Sequence, residues 1–236
     1  MPRRTTTGTA GIVFHVINRG VRRLGLFDQA GDYRAWLTAF AEAQRRVPID
    51  IFAYCLMPNH FHLVVRPRED GHLAEFMRLG TVTHSMRWHR YRGSAGTGAV
   101  YQGRYRAFPV QTNRYFFSVC RYVEANALRA SLVEHAEDWP WSSLAARCRN
   151  RHLLQLSEWP ILQPSDWIQQ VNSSGAKAEL DAVRRCIIKR IPLGDDDWSR
   201  ATAVPLGLTR GFRRSGRPRT EKRDRDSFPR NESRSR

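Results

Sequence analysis

Residues 12–17, Ile-Val-Phe-His-Val-Ile, are mostly β-branched or aromatic and run into Asn18-Arg19-Gly20. A strand ending at a turn is predicted there. From Asp28 to Val47 the apolar positions Tyr33, Trp36, Leu37, Phe40 and Ala41 recur three, four, seven and eight residues apart. That is one face of a helix, and Pro48 stops it. Ile49–Met57 and His60–Arg66 read as two strands joined by a tight Pro58-Asn59 turn. Leu73, Phe76, Met77, Val82 and Met86 give residues 73–91 an imperfect apolar side, so a second helix is predicted. Gly93–Gly98 is a flexible loop, Tyr101–Val110 contains a short strand, and Asn113 is a good N-cap for a helix over Arg114–Arg129.

The predicted order is β-α-β-β-α-β-α. Its first six elements fit an α+β fold, a ferredoxin-like split βαβ antiparallel sheet with helices on one face. After Trp139-Pro140-Trp141-Ser142-Ser143 the pattern changes. Residues 1–145 are expected to form the principal domain and 146–208 a small helical extension that includes Lys177–Arg190. Residues 209–236 lack any apolar repeat. With 11 Lys/Arg against 4 Asp/Glu, they are expected to form a basic, disordered tail.

Charge narrows the class of partner. The chain carries a net charge of +17, and 36 of its 39 basic residues are arginine. Arginine presents a planar fork of donors that matches phosphate, so nucleic acid is the expected partner. The four cysteines, Cys55, Cys120, Cys148 and Cys186, form no C-x-x-C pair. A zinc ribbon and a small disulfide scaffold are disfavoured. With no apolar run long enough for a bilayer and no signal-type segment, a reducing, cytoplasmic setting is expected, without membrane contact.

The sharpest local feature is His60-Phe61-His62. Side chains alternate along a strand, so the two imidazoles share a face while Phe61 points to the core. Two imidazoles one pleat apart reach a single metal ion; a hydrogen-bonded surface pair fits the same pattern. On the helix 114–129, Tyr122 and Asn126 lie one turn apart. An amide oxygen is an acceptable ligand for Mg²⁺ or Mn²⁺, and a neighbouring phenol would stand beside the same cation. Tyr122 also fits a core stripe with Tyr115 and Val119.

Several strings now combine. Ala53-Tyr54-Cys55-Leu56-Met57-Pro58-Asn59-His60-Phe61-His62-Leu63 resembles the core of IS200-like single-tyrosine transposases, and within them the REP-associated tyrosine transposase branch. His15-Val16-Ile17-Asn18-Arg19-Gly20, Tyr101-Gln102-Gly103-Arg104-Tyr105, Arg121–Ala130 and Trp139–Ser143 extend the resemblance over roughly residues 11–145. One departure is Ala127 where the family usually has proline after the asparagine. The resemblance implies an HUH-type, metal-dependent enzyme that nicks and joins single-stranded DNA. It implies that His60, His62 and Asn126 hold a divalent cation, Mg or Mn. It also implies that Tyr122 attacks the scissile phosphate, keeps the 5′-phosphate and releases a 3′-hydroxyl. Tyr115, Tyr101 and Tyr105 are rival nucleophiles; Tyr115 lies eleven residues before Asn126, ~16 Å along the helix axis and too far, and Tyr105, on a different element, ranks second. Either Asn59 or a water is open as general base.

Such an enzyme must also hold its strand. Arg19, Arg22, Arg23, Arg104, Arg106 and Arg129 are candidates for phosphate contacts, with Tyr54, Trp88 and Tyr101 for base stacking. In the tail, Gly211–Arg219 places Arg213, Arg214, Arg217 and Arg219 in a Gly-Arg-Pro-Arg context that resembles a minor-groove hook. The expected partners are single-stranded or hairpin DNA, with duplex DNA through the tail. Monomer and homodimer both fit, as does a bacterial, nucleoid-associated location. The competing reading is a DNA-binding protein on the same fold without chemistry.

Overall fold

The computed structural model describes residues 9–173 and 177–212. β1 (Val13–Arg19), α1 (Ala30–Arg46), β2 (Ile49–Met57), β3 (His60–Pro67), α2 (His72–Arg92), β4 (Arg106–Val110) and α3 (Arg114–Glu124) follow the predicted order. The four strands form one antiparallel sheet in the order β2-β3-β1-β4. This is the split βαβ arrangement.

α1 and α2 lie on one face, as expected. Trp36 and Phe40 of α1 stack at 3.9 Å, and Phe40 meets Phe61 and Phe76 edge-on at 5.6 and 5.4 Å. α2 approaches so closely that a β-carbon on Gly80 would stand 2.7 Å from the Phe40 ring. Gly80 is therefore fixed by steric need rather than by its backbone angles.

The prediction that helices cover one face alone is corrected. α3 packs on the opposite face. Its stripe Phe116, Val119, Cys120 and Val123 is fully buried against Val13, Phe52, Cys55, Val64 and Val110. The physical reason is that β2 is buried at all nine positions. A strand that is apolar on both sides requires cover on both sides.

The helix expected over 114–129 is also interrupted. α3 stops at Glu124, Ala125 leaves helical geometry at φ −81° and ψ 7°, and α4 (Asn126–Arg129) follows. Beyond it, α5 (Ser143–Cys148), α6 (Trp167–Asn172), α7 (Lys177–Lys189) and α8 (Asp196–Ala203) build the extension. Leu154 joins the α1/α2-side core, and Trp167, Val171, Val183, Cys186 and Leu193 join the α3-side core. Thr209–Phe212, placed in the tail by sequence, forms a 3-10 turn whose Phe212 packs on that second core.

Both sheet edges are covered, which removes the exposed backbone that invites edge-to-edge pairing. Along β2, Leu56 N donates to Trp141 O and Tyr54 N to Ser143 Oγ, each at 2.9 Å. The Trp-Pro-Trp-Ser-Ser string is thus an edge strap. Along β4, Leu193 N donates to Pro109 O at 2.8 Å and Gln111 N to Leu193 O at 2.9 Å.

Candidate nucleic-acid cleavage site

Phe61 is fully buried beneath α1 and α2, which turns His60 and His62 onto the α3 side. Their rings stand 5.0 Å apart, centre to centre. In the β1–β3 register His62 lies opposite Ile17 and His60 opposite Arg19. His15, two residues before Ile17, therefore shares their face. Its Nε2 lies 2.9 Å from His62 Nδ1, and the rings stack at 5.1 Å. His60 Nδ1 donates to Asn59 Oδ1 at 2.7 Å. Both histidines of the pair are thus gripped through Nδ1, and no hydrogen bond among the described residues engages either Nε2.

Tyr122 completes the cluster from the opposite wall. Its ring is 5.8 Å from His62 and 5.8 Å from His15, edge-on to each. The Arg129 guanidinium sits 4.4 Å over the Tyr122 ring and donates to the Tyr122 carbonyl. The structure therefore brings His60, His62 and Tyr122 together and ties Arg129 to the tyrosine. Asn126, just past the helix break, has a buried amide nitrogen with no hydrogen-bond partner. Turned by 180°, an amide presents its oxygen at the same point.

The rival tyrosines are placed differently. Tyr101 is buried and shares a 2.8 Å hydrogen bond with His84. Tyr105 packs on the α1/α2-side core with its hydroxyl buried and unpartnered. Tyr115 takes a hydrogen bond from Arg114 at the start of α3. The stacking candidates are occupied as well. Tyr54 is buried, and Trp88 donates to Leu26 O beneath Arg92.

The arginines converge on the same end of the sheet. Gly20 pairs with Tyr101, Gly20 N donates to Asn59 O, and Gln102 N donates to Arg19 O. These bonds gather the loops that carry Arg22, Arg23 and Arg104 around the β2–β3 turn. Arg106 opposes Ile17, so it shares the histidine face with Arg19. Arg213, Arg214, Arg217 and Arg219 lie outside the described residues.

A family model described as "Transposase IS200 like" matches residues 9–126, a span that holds His15, His60, His62, Tyr122 and Asn126. The chain belongs to the IS200-like transposase family. A solved structure described as "Structure of the REP associates tyrosine transposase bound to a REP hairpin" is similar in fold. It has a TM-score of 0.51 and 18% identity, covering 69% of this chain and 95% of that one. No curated protein matches.

Within this transposase, two residues of the site were not singled out by sequence reasoning. His15 appears in a family string, but its contact with His62 depends on strand register. Asn59, considered only as a proton acceptor, instead orients His60. A cavity of about 260 Å³ borders Tyr122 and Arg129 between α3 and the extension helices. Among the described residues, no three His, Cys, Asp or Glu side chains gather closely enough to hold a metal by themselves. No helix among them is long and apolar enough to cross a membrane.

Burial dominates the electrostatics. It pulls His15 down to about 3 and His62 well below its ordinary value, the latter aided by nearby positive charge. It pulls His60 to about 4 with help from Arg19, and His84 to about 4. All four are neutral when folded at pH 7 but titrate near 6.5 when unfolded. Below pH 6.5 the unfolded chain binds more protons, so stability present above 6.5 is lost as pH falls toward 4. Each histidine contributes a slope of up to about 1.4 kcal/mol per pH unit. Urea midpoints should therefore drop clearly between pH 7.5 and pH 5, and equal midpoints would contradict the neutral burial.

Proposed function

We propose that this transposase nicks and rejoins single-stranded DNA at hairpin-forming repeats, as a member of the REP-associated branch. Tyr122 is its nucleophile, and its product is a 5′-phosphotyrosine. The observation that carries this reading is the packing of the Tyr122 ring against His62, on the sheet face that also presents His60.

The donor set fits a divalent cation. Two neutral imidazoles have their Nδ1 atoms committed to Asn59 and His15, which leaves each Nε2 lone pair for a ligand. The orphaned amide of Asn126 supplies the third donor. Mg²⁺ or Mn²⁺ held by His60, His62 and Asn126 would polarise the scissile phosphate. His15 acts as a positioning residue: accepting from His62 Nδ1–H fixes the tautomer whose Nε2 is free.

The remaining steps belong to the chain. The Tyr122 hydroxyl oxygen attacks phosphorus as its proton passes to water. The bond from phosphorus to the 3′-oxygen breaks, and that oxygen leaves as a hydroxyl after taking up a proton. One phosphodiester replaces another, so the return attack by a 3′-hydroxyl needs no nucleotide cofactor. Arg129 keeps the phenol against the histidines, while Arg19, Arg22, Arg23, Arg104 and Arg106 bind flanking phosphates. The tail arginines Arg213, Arg214, Arg217 and Arg219 contact the duplex stem.

The test incubates the full chain with a pool of labelled hairpin single strands and Mn²⁺, then separates the products on denaturing gels. A covalent adduct is expected with Mn²⁺. It should be absent in EDTA and absent in His60→Ala and His62→Ala, which still bind the hairpins. Adduct in both histidine variants would remove the metal role. Tight binding without adduct under every condition would leave a DNA-binding protein without chemistry.

A further inference from the structure

We infer that Arg190, in the helical extension and outside the span of the family match, completes a phosphate-binding site with Arg19 and Arg106 for the single strand entering the cleavage site. The inference rests on the function proposed above and adds a DNA contact from a different part of the chain.

Sheet pairing supplies the geometry. Leu193 pairs with Val110 in parallel, and its backbone bonds tie it to Pro109 and Gln111 on either side. Strands so paired run about 4.8 Å apart. Arg190 lies three residues before Leu193 in this strap, on the side of the start of β4, where Arg106 begins the strand. Arg106 in turn shares the histidine face with Arg19, which lies opposite His60.

The second observation is the backbone of Arg190. Ile191 N donates to Cys186 O at 3.2 Å, the six-to-one bond that closes a helix C-terminus around a left-handed residue. Arg190 is that residue, with φ 58°. Glycine is the usual occupant, because a side chain is strained there. Here the strained position carries an exposed guanidinium. It stands at the end of a strap whose next apolar side chains, Ile191 and Leu193, are buried.

The third observation is charge. Neither Arg19, Arg106 nor Arg190 pairs with a carboxylate among the described residues. Arg106 nevertheless feels the other two: it lies below the ordinary guanidinium range through burial, then through the positive charges of Arg190 and Arg19. Like charges held together without an internal counterion attract an external anion. Beside the histidine pair, the anion that matches three forked donors is a phosphodiester oxygen.

The experiment measures binding of a fluorescent hairpin with a 5′ single-stranded extension to the full chain. It is run in EDTA over a series of KCl concentrations. Arg190→Gln removes the charge. Arg190→Gly removes it while relieving the left-handed backbone, so lost binding there does not come from misfolding. Both are expected to lose about tenfold in affinity at low salt, the scale of one charge-assisted hydrogen bond. Both should also flatten the slope of log Kd against log [KCl] by about 0.7, one single-strand phosphate contact. Arg190→Lys should retain most of the slope. Arg149→Gln, an exposed charge at the end of α5, serves as the control. Arg190 variants that match wild type, or lose no more than Arg149→Gln, overturn the site while the transposase reading stands. Wild type that binds no hairpin at any salt overturns both.

Discussion

Tyr122→Phe is expected to abolish the covalent protein–DNA adduct while leaving the fold and hairpin binding intact. The substitution deletes one oxygen. The ring remains, and the ring makes the contacts seen in the structure: edge-on packing at 5.8 Å on His15 and His62, and the Arg129 guanidinium 4.4 Å above its face. The Arg129 bond goes to the backbone carbonyl of residue 122 and survives as well. Thermal unfolding should therefore be nearly unchanged. The chemical loss should be on the order of 10⁴-fold or more, the scale on which a covalent nucleophile acts. Tyr115→Phe should keep full adduct yield. Tyr115 lies seven residues upstream on α3, about 10 Å along the axis. Tyr105→Phe should do likewise, since its hydroxyl is enclosed on the other core. Adduct persisting in Tyr122→Phe would assign the attack to another tyrosine and detach α3 from the chemistry. The assay is gel retardation under denaturing conditions, followed by mass mapping of the modified peptide.

The strands and crossover helices were legible because each carries its own period. β2 begins and ends at the predicted residues, and β3 begins at His60 as predicted. The pairing of His60 with His62 on one face follows from strand alternation, with Phe61 as the opposing anchor. Three features were hidden for identifiable reasons. The covering of both faces is signalled by β2 alone, through its nearly unbroken apolar run; the expectation of one covered face came with the split βαβ element order. The break at Ala125 carries no proline or glycine to announce it. His15 and Arg190 depend on register. His15 meets His62 only because β1 pairs with β3 in one alignment, across 47 residues of chain. Arg190 is brought toward β4 by the Leu193–Val110 bridge, which no local pattern marks. Local sequence therefore specifies elements and their faces, whereas long-range pairing specifies which of those faces share a site.

The same long-range pairing makes Glu124 the position where stability is expected to be most sensitive. Glu124 has no exposed surface at the end of α3, two residues after Tyr122. Its carboxylate accepts from Ser143 Oγ at 2.5 Å, Arg147 Nη1 at 2.7 Å and Trp167 Nε1 at 2.7 Å. Arg147 also donates to the Phe52 carbonyl on β2. One buried charge thus joins the tyrosine helix, the strap helix α5, the extension helix α6 and the sheet. Glu124→Leu would leave a guanidinium, a hydroxyl and an indole N–H without their acceptor, at a cost of about 3–5 kcal/mol. That is a large fraction of the ~5–15 kcal/mol that holds a domain folded. Urea unfolding should show the loss directly. Glu124→Gln keeps shape and one acceptor and should lose less. The double variant Glu124→Leu/Arg147→Met removes both charges together and should recover much of the difference, because the penalty lies in the unpaired partner. If Glu124→Leu alone matches wild type in urea, the network does not secure α3. The placement of Tyr122 would then rest on the apolar stripe Phe116, Val119, Cys120 and Val123 alone.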